Sequence, residues 1–382
     1  MKRIIAASFA LMLAIAMPLN AQITVDGQLD ASGYTLATTQ TNNTGFGDNF
    51  SEWNAMYTAV EDTRIFVMLT GNLENNFNKL EIFFDSVPGG ENSLSSIPEY
   101  DFPDNDPPAW NSQRLGGVIS GGPGFTFDTG FEADFHMFVR HGFDPNADEF
   151  DFNVLDADFI DRLGGTSQLI NGNTMRVAFD FDTQTGSGTM DSSTLANNAA
   201  AGTLSGVIEL ALDNNNMAGI SGDTSVPADA AAAEAVTTGV EFSIDVADLG
   251  IDITQAATIR ILAAQNGVNH DFVSNQLLPG IDAPNGNIGG DNAGNFIEDC
   301  GGVDMTAWTG DQFVEIEYTP DTGCSFMPGD INEDGMVNLL DVGPFVDLLS
   351  GGGGFVCQGD LNGDGSINLL DVGPFIDALS GG

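Results

Sequence analysis

Between residues 22 and 318 the apolar positions come in short runs bounded by Gly, Asn and Asp, without long helical patterns. Such runs are the mark of β-strands joined by turns. Strands are expected over 23–27, 56–60, 64–69, 79–85, 134–140 and 150–155. Others are expected over 175–181, 207–212, 240–246, 258–264 and 312–318. In one of them Val240, Phe242, Ile244 and Val246 point one way and Glu241, Ser243 and Asp245 the other, the alternation of a half-buried strand. The 65–69 and 80–84 runs are apolar on both faces and belong mid-sheet, under loops. The fold class expected is therefore mainly β, an antiparallel β-sandwich, with 27 phenylalanines to fill the space between its sheets.

Long polar insertions interrupt the strand series at 89–124, 183–205 and 214–238, the last with a short helix expected over 228–235. Residues 275–302 are a fourth irregular stretch, and loops of this length are commonly functional or mobile. After a linker over 319–327 the pattern changes. Two twelve-residue segments, Asp330-Ile-Asn-Glu-Asp-Gly-Met-Val-Asn-Leu-Leu-Asp341 and Asp360-Leu-Asn-Gly-Asp-Gly-Ser-Ile-Asn-Leu-Leu-Asp371, are each followed by a nearly identical Asp-Val-Gly-Pro-Phe stretch. Their side-chain oxygens recur at the spacing with which a short loop surrounds a hard cation such as Ca²⁺. The candidate ligands are Asp330, Asn332, Asp334, Asn338 and Asp341 in the first loop, with the carbonyl of Met336. In the second they are Asp360, Asn362, Asp364, Asn368 and Asp371, with the carbonyl of Ser366. Gly335 and Gly365 allow the sharp mid-loop turn. Pro344 and Pro374 suit the first turn of a new helix, so a turn and then a short helix ending at the Gly pair are expected after each loop.

The tandem loops, the Asp at the twelfth position where an EF-hand has Glu, and the short following helix resemble a type I dockerin over residues 328–382. That resemblance implies a small α-helical domain folded around two Ca²⁺ ions and a cohesin-type scaffold as partner. Cohesin-reading positions in that family are often hydroxyl and basic residues. Here Leu339, Leu340, Leu369 and Leu370 stand near the loop ends, and the segment has no Lys or Arg. An apolar interface with another partner, or a self-contained calcium-stabilised tail, therefore stays open. The sandwich carries a second resemblance. Its opening Ile23-Thr-Val-Asp-Gly-Gln-Leu-Asp30, with the stretches 71–85 and 127–134, is similar to exported bacterial proteins whose sandwich is DOMON-like or like the family 9 carbohydrate-binding modules. This implies a binding β-sandwich, for sugar or otherwise, and carries over no catalytic residue.

Charge narrows the partners. Nine Lys and Arg stand against 55 Asp and Glu, a formal charge of −46, and no Lys or Arg follows Arg260. Nucleic acid and anionic membrane surfaces are poor partners for such a chain. Lys2 and Arg3, the apolar stretch from Ile4 to Met17 and the small-residue end at Ala21 read as a signal peptide over 1–21. No stretch is long enough for membrane insertion, so a secreted, extracellular or cell-surface protein is expected, with anchoring through a partner. The organisation is then signal peptide 1–21, sandwich 22–318, linker 319–327 and calcium-loop domain 328–382. Of Cys300, Cys324 and Cys357, a Cys324–Cys357 bridge would close the tail, with Cys300–Cys324 the competing pair.

Catalytic patterns are weak. His136 and His141 differ by an odd number and face opposite sides of one strand, and no nucleophile elbow or phosphate-binding glycine loop occurs. Any pair of 55 acids could be nominated as a glycosidase pair, which makes the nomination uninformative. Sugar binding needs aromatic faces, and Tyr100 and Trp110, in the long polar loop, are the candidates, with Trp53 as a third whose place at or in a strand is more often that of a core residue. The remaining aromatic class, phenylalanine, is assigned to the core. The reading is an exported, non-catalytic glycan-binding sandwich tethered through a calcium-dependent dockerin-like tail. The alternatives are a structural or adhesive surface protein without a sugar site, and a polysaccharide-degrading glycoside hydrolase component.

Overall fold

The computed structural model describes residues 23–30, 32–95, 114–144, 153–163, 171–196, 199, 201–320, 327–332, 334–350, 357–362 and 366–380. Its strands are β1 (Thr35–Thr39), β2 (Glu52–Glu61), β3 (Arg64–Asn72), β4 (Lys79–Asp85), β5 (Phe135–Phe143), β6 (Asn153–Asp161) and β7 (Asn171–Ala178). They continue with β8 (Thr185–Met190), β9 (Ile208–Asp213), β10 (Gly239–Asp245), β11 (Ala257–Asn266), β12 (Val273–Leu278) and β13 (Val314–Tyr318). One sheet runs β1-β2-β3-β10-β9-β8 and the other β12-β11-β4-β5-β6-β7, with β13 also on β11. Every ladder between these strands is antiparallel.

The sheets face each other across one core. Ile65, Val67 and Leu69 of β3 and Val240, Phe242 and Ile244 of β10 meet Ile82 and Phe84 of β4, Met137 of β5 and Phe159 of β6. Phe84 is the hinge of that packing, its ring edge-on to Phe242 at 6.0 Å and to Phe159 at 6.1 Å. Edge-on rings set the negative face of one against the positive edge of the other, adding about 0.5–1.5 kcal/mol to the burial itself. The runs apolar on both faces do lie mid-sheet. On the outer face of β4, Phe83 packs with Phe125, Phe127 and Leu262 into a second cluster, roofed by residues of the 114–133 stretch.

Three expectations need correction. Residues 23–27 form no strand, and the chain bends at Asp26 and Gly27. Gly27 takes φ 83°, and a Cβ there would meet the Asp213 amide at 2.5 Å, so the chain needs glycine at this crossing. The amides of Asp26 and Gly27 each donate to Glu241 Oε2 at 2.8 Å, while the Tyr34 hydroxyl donates to Oε1 at 2.7 Å. Glu241 is therefore buried under the N-terminal segment, and β10 is covered on both faces rather than half-buried. The opening Val-Asp-Gly signature thus has a structural reason, the docking of this segment on β10. Lastly, β8 arises within a stretch expected to be irregular, β12 runs into another, and β1 lies outside every expected strand.

One further seam ties the sheets together. The Trp53 amide donates to Gln276 Oε1 at 3.1 Å, and Gln276 Nε2 donates to the Asn42 carbonyl at 3.1 Å. Asn275 Nδ2 reaches the Asn43 carbonyl at 2.7 Å, and Gln40 Nε2 the Leu277 carbonyl at 2.9 Å. Buried side-chain amides thus replace a backbone ladder between residues 40–44 and β12, satisfying polar groups that would otherwise be stranded.

The helix expected near 228–235 is α1 (Ala230–Glu234), started by Asp229, whose carboxylate accepts the Ala231 and Ala232 amides. In the tail, α2 (Val342–Leu349) and α3 (Val372–Leu379) follow the two twelve-residue segments and end at Ser350 and Ser380, just before the glycines. Pro344 and Pro374 sit in their first turns, where a missing N–H costs nothing. Phe345 and Phe375 stack at 4.1 Å and 26° and centre a small core with Ile331. No described helix is long and apolar enough to cross a membrane.

Candidate functional site

The tail loops close around their own carboxylates. Asp330 and Asp341 are fully buried. Asp330 accepts the Asp334 amide at 3.1 Å and the Gly335 amide at 2.8 Å. Asp341 reaches back across the loop to the Asn332 amide at 3.0 Å and the Asn338 amide at 2.8 Å. In the second loop the buried Asp371 does the same with Asn362 at 3.0 Å and Asn368 at 2.8 Å. Asp341 and Asp371 hold the N-cap positions of α2 and α3, yet neither side chain caps its helix; both turn inward to the loop. Each carboxylate offers about four lone-pair sites, of which the two amide bonds take two. The donor set is all oxygen, as Ca²⁺ prefers. Tail carboxylates this buried, in a segment with no Lys or Arg, suit a resident divalent cation, since a buried charge is costly unless paired. Met336 O receives Asn338 Nδ2 at 3.2 Å, and Ser366 O receives Asn368 Nδ2 at 3.2 Å. Asp364 lies outside the described residues, and among those described no three of His, Cys, Asp and Glu converge as a metal group.

The sandwich offers a shallow cleft of about 490 Å³ at the end where the chain enters β2 and where the β3–β4 and β11–β12 connections turn. Phe46 and Phe272 line it with ring centroids 6.0 Å apart and nearly parallel planes. Phe296, 60% exposed, adds a third ring. Glu74, Asn76 and Asn78 of the β3–β4 turn line the same cleft. Asn76 Nδ2 donates to Glu74 Oε2 at 2.6 Å, and the Asn78 amide to Asn76 Oδ1 at 2.9 Å, which fixes that polar rim. Burial pushes the Glu74 carboxyl above its ordinary value.

What holds the Phe272 side is a strut beneath it. Asn266 Oδ1 clamps the β11–β12 turn by accepting the amides of Gly267 at 2.8 Å and Phe272 at 3.0 Å. His270 sits at the turn with φ 53° and places Nδ1 2.6 Å from Glu81 Oε1. Glu81 Oε2 lies 2.8 Å from His136 Nε2. Burial pushes the Glu81 carboxyl up, but His270 and His136 outweigh it and hold the group well below the carboxylate range. Burial also depresses His136 and brings His270 to about 4, so both rings are neutral near pH 7 and each gives one N–H to the carboxylate. Lys79 Nζ donates to the Val268 carbonyl, and Arg114 pairs with Asp271 at 2.9 Å, pinning the same turn. Buried Cys300 beside it carries a free thiol, raised far above its ordinary value by burial.

The expected aromatic candidates fare unevenly. Trp53 is corrected: it is buried in the core and its Nε1–H donates to Gln265 Oε1 at 2.8 Å, so the ring satisfies its one polar group internally and presents no face to a ligand. Tyr100 and Trp110 lie outside the described residues, as does Cys324. Cys357 is disulfide-bonded. His136 and His141 do part company, His141 lying against Phe179 at 3.9 Å between ring centroids. Assigning every Phe to the core misses the cleft rings. Phe46 between Gly45 and Gly47, and Phe296 in Asn-Ala-Gly-Asn-Phe, stand outside any alternating run, and that is the signal the sequence offers.

A second cleft of about 500 Å³ lies by Asp85, Asp128, Glu132 and Arg260. Its rings, Phe127 and Phe131, are buried, and Arg260 is engaged by Asp85 at 3.1 Å and Glu315 at 3.0 Å. It therefore offers a ligand less. Comparison with known proteins finds no matching family, no matching curated protein and no matching solved structure.

Proposed function

We propose that this chain is an exported, non-catalytic binding protein whose sandwich holds a glycan. Its dockerin-like tail takes two Ca²⁺ ions and ties it to a cohesin-like or other surface scaffold. The observation that carries the reading is the paired cage in the tail. Two loops of one design bury Asp330, Asp341 and Asp371 in a segment without Lys or Arg, with the twelfth-position carboxylates turned into the loop instead of capping the helix that follows. Calcium would supply the charge that makes this burial favourable and would couple loop order to the packing of Phe345 on Phe375. The residues that would hold it are Asp330, Asn332, Asp334, Asn338 and Asp341, and in the repeat Asp360, Asn362, Asp364, Asn368 and Asp371, with the carbonyls of Met336 and Ser366. A Cys324–Cys357 bridge belongs with this reading, since Cys300 is the free thiol and Cys357 is bonded.

The partner surface favoured is apolar. Leu339 and Leu369 are each 82% exposed at equivalent places in the two repeats. Solvent-facing leucines repeated in register suggest a partner that covers them. The test is calorimetric titration of the full chain, first stripped with chelator, with CaCl₂. Two ions should bind, and the Asp330→Ala and Asp360→Ala variants should each lose one. Absence of heat at millimolar calcium, with the tail equally protease-resistant in chelator, would sink the tail half of the proposal.

A further inference from the structure

We infer that the saccharide site of the sandwich is the cleft lined by Phe46, Phe272 and Phe296 and by Glu74, Asn76 and Asn78, and that its ligand is a short run of an uncharged polysaccharide. This rests on the glycan-binding reading and gives it a place.

The lining combines aromatic rings with polar groups, as a sugar ring requires. A pyranose presents C–H bonds on its faces and hydroxyls around its edge. Rings of Phe46 and Phe272, 6.0 Å apart and tilted by 21°, form an apolar floor for such faces, and the exposed Phe296 extends it. The amides and carboxylate in the lining supply acceptors and donors to the hydroxyl edge, as the few polar groups of a binding site do. A cleft of about 490 Å³ falls within the usual range of small-ligand sites, about 300–1,000 Å³.

Electrostatics select among sugars. Glu74 and Asp271 are the charged groups lining the cleft, and the nearby cations Lys79 and Arg114 are engaged with the Val268 carbonyl and Asp271. With the chain at −46, a uronate or sulfated polymer would meet repulsion at the wall and from the molecule as a whole. A neutral hexose or pentose chain meets none.

Support from beneath is built in. The turn that carries Phe272 is clamped by Asn266 Oδ1 and held on β4 through the His270–Glu81 contact of 2.6 Å, so the floor stands ready without a ligand. The Phe46 side is fixed likewise. The Phe46 amide donates to Thr44 Oγ1 at 3.1 Å, and the Gly45 amide to Asn275 Oδ1 at 2.9 Å.

The experiment is isothermal titration of the calcium-loaded full chain with cellohexaose, xylohexaose, mannohexaose and laminarihexaose, and with a hexagalacturonate as the charged counterpart. At least one neutral hexamer should bind and the galacturonate should not. Phe296→Ala and Phe46→Ala should each weaken binding about tenfold, as the loss of a stacking contact implies, with Phe181→Ala, an exposed ring elsewhere, as the silent control. Asn76→Ala repeats the test at a polar lining residue without removing a ring, should either Phe variant fail to fold. If a neutral hexamer binds and all three cleft variants leave it unchanged, the cleft assignment is wrong while the glycan reading stands. Preference for the galacturonate overturns the selectivity argument. If no hexamer binds at millimolar concentration, both the cleft and the glycan reading fall.

Discussion

A single carboxylate, Glu81, receives two imidazoles in a place from which water is excluded. Replacing it by Gln would set an amide NH₂ or a lone carbonyl where two N–H donors converge, leaving at least one buried donor unpaired. Glu81→Gln is expected to cost about 3 kcal/mol in urea unfolding, the scale of a broken buried polar pair. The pH dependence follows from His270, which titrates at about 4 in the folded chain against 6.5 for an ordinary histidine. As pH falls the unfolded chain takes up this proton first, so the stability tied to neutral His270 is complete above about 6.5 and is lost towards 4. Asp134 acts in the opposite sense, because burial raises its carboxyl to about 6 and the folded form takes up its proton before the unfolded one. The clean measurement is therefore a difference. A His270→Asn variant tolerates the positive φ and keeps an N–H for Glu81. Its stability deficit should be largest at pH 7.5 and shrink by pH 4.5.

At the scale of elements, what is legible in the sequence follows position in the sheet. The β4 strand is read at its observed ends, Lys79 and Asp85, because it is covered on both faces and carries apolar side chains on each, Leu80, Ile82 and Phe84 on one and Phe83 on the other, beside the buried Glu81. The strands that escape such a reading lie at margins. β1, Thr-Leu-Ala-Thr-Thr, and β8, Thr-Gly-Ser-Gly-Thr-Met, are the two edges of their sheet, and β12, Val-Ser-Asn-Gln-Leu-Leu, ends the order of the other. Edge strands need one partner only and tolerate polar or glycine-rich sequence, so the alternation that announces a strand is absent there. The tail repeat is legible because its Asp and Asn recur at fixed spacing in two copies, whereas the cleft joins residues 46, 74, 76, 272 and 296, a proximity that only the fold creates. Gly71 tests the bulge between β2 and β3. It has φ 149°, and a Cβ there would stand 2.0 Å from the Glu52 carbonyl oxygen. Gly71→Ala should destabilise the sandwich by about 3 kcal/mol or more, read as a lowered urea midpoint at unchanged slope.

For the whole molecule, charge is the strongest influence outside the core. At −46 the folded chain repels itself, and salt screens that repulsion over a Debye length of about 10 Å at 0.1 M. Raising NaCl from low to physiological concentration should therefore raise Tm by a few degrees, with calcium held constant throughout. The ion pairs offer less to lose than to gain, since Arg140–Asp156 at 3.1 Å is buried and shielded from bulk ions.

The amide seam between residues 40–44 and β12 gives this acidic protein something its charges cannot. Asparagine and glutamine carry dipoles without net charge, so neither acidification nor brine alters the bonds that lock one sheet margin to the other. The margin most open to fraying is thereby fastened by groups indifferent to the medium, and the sandwich should keep the same closure in fresh water and in the sea.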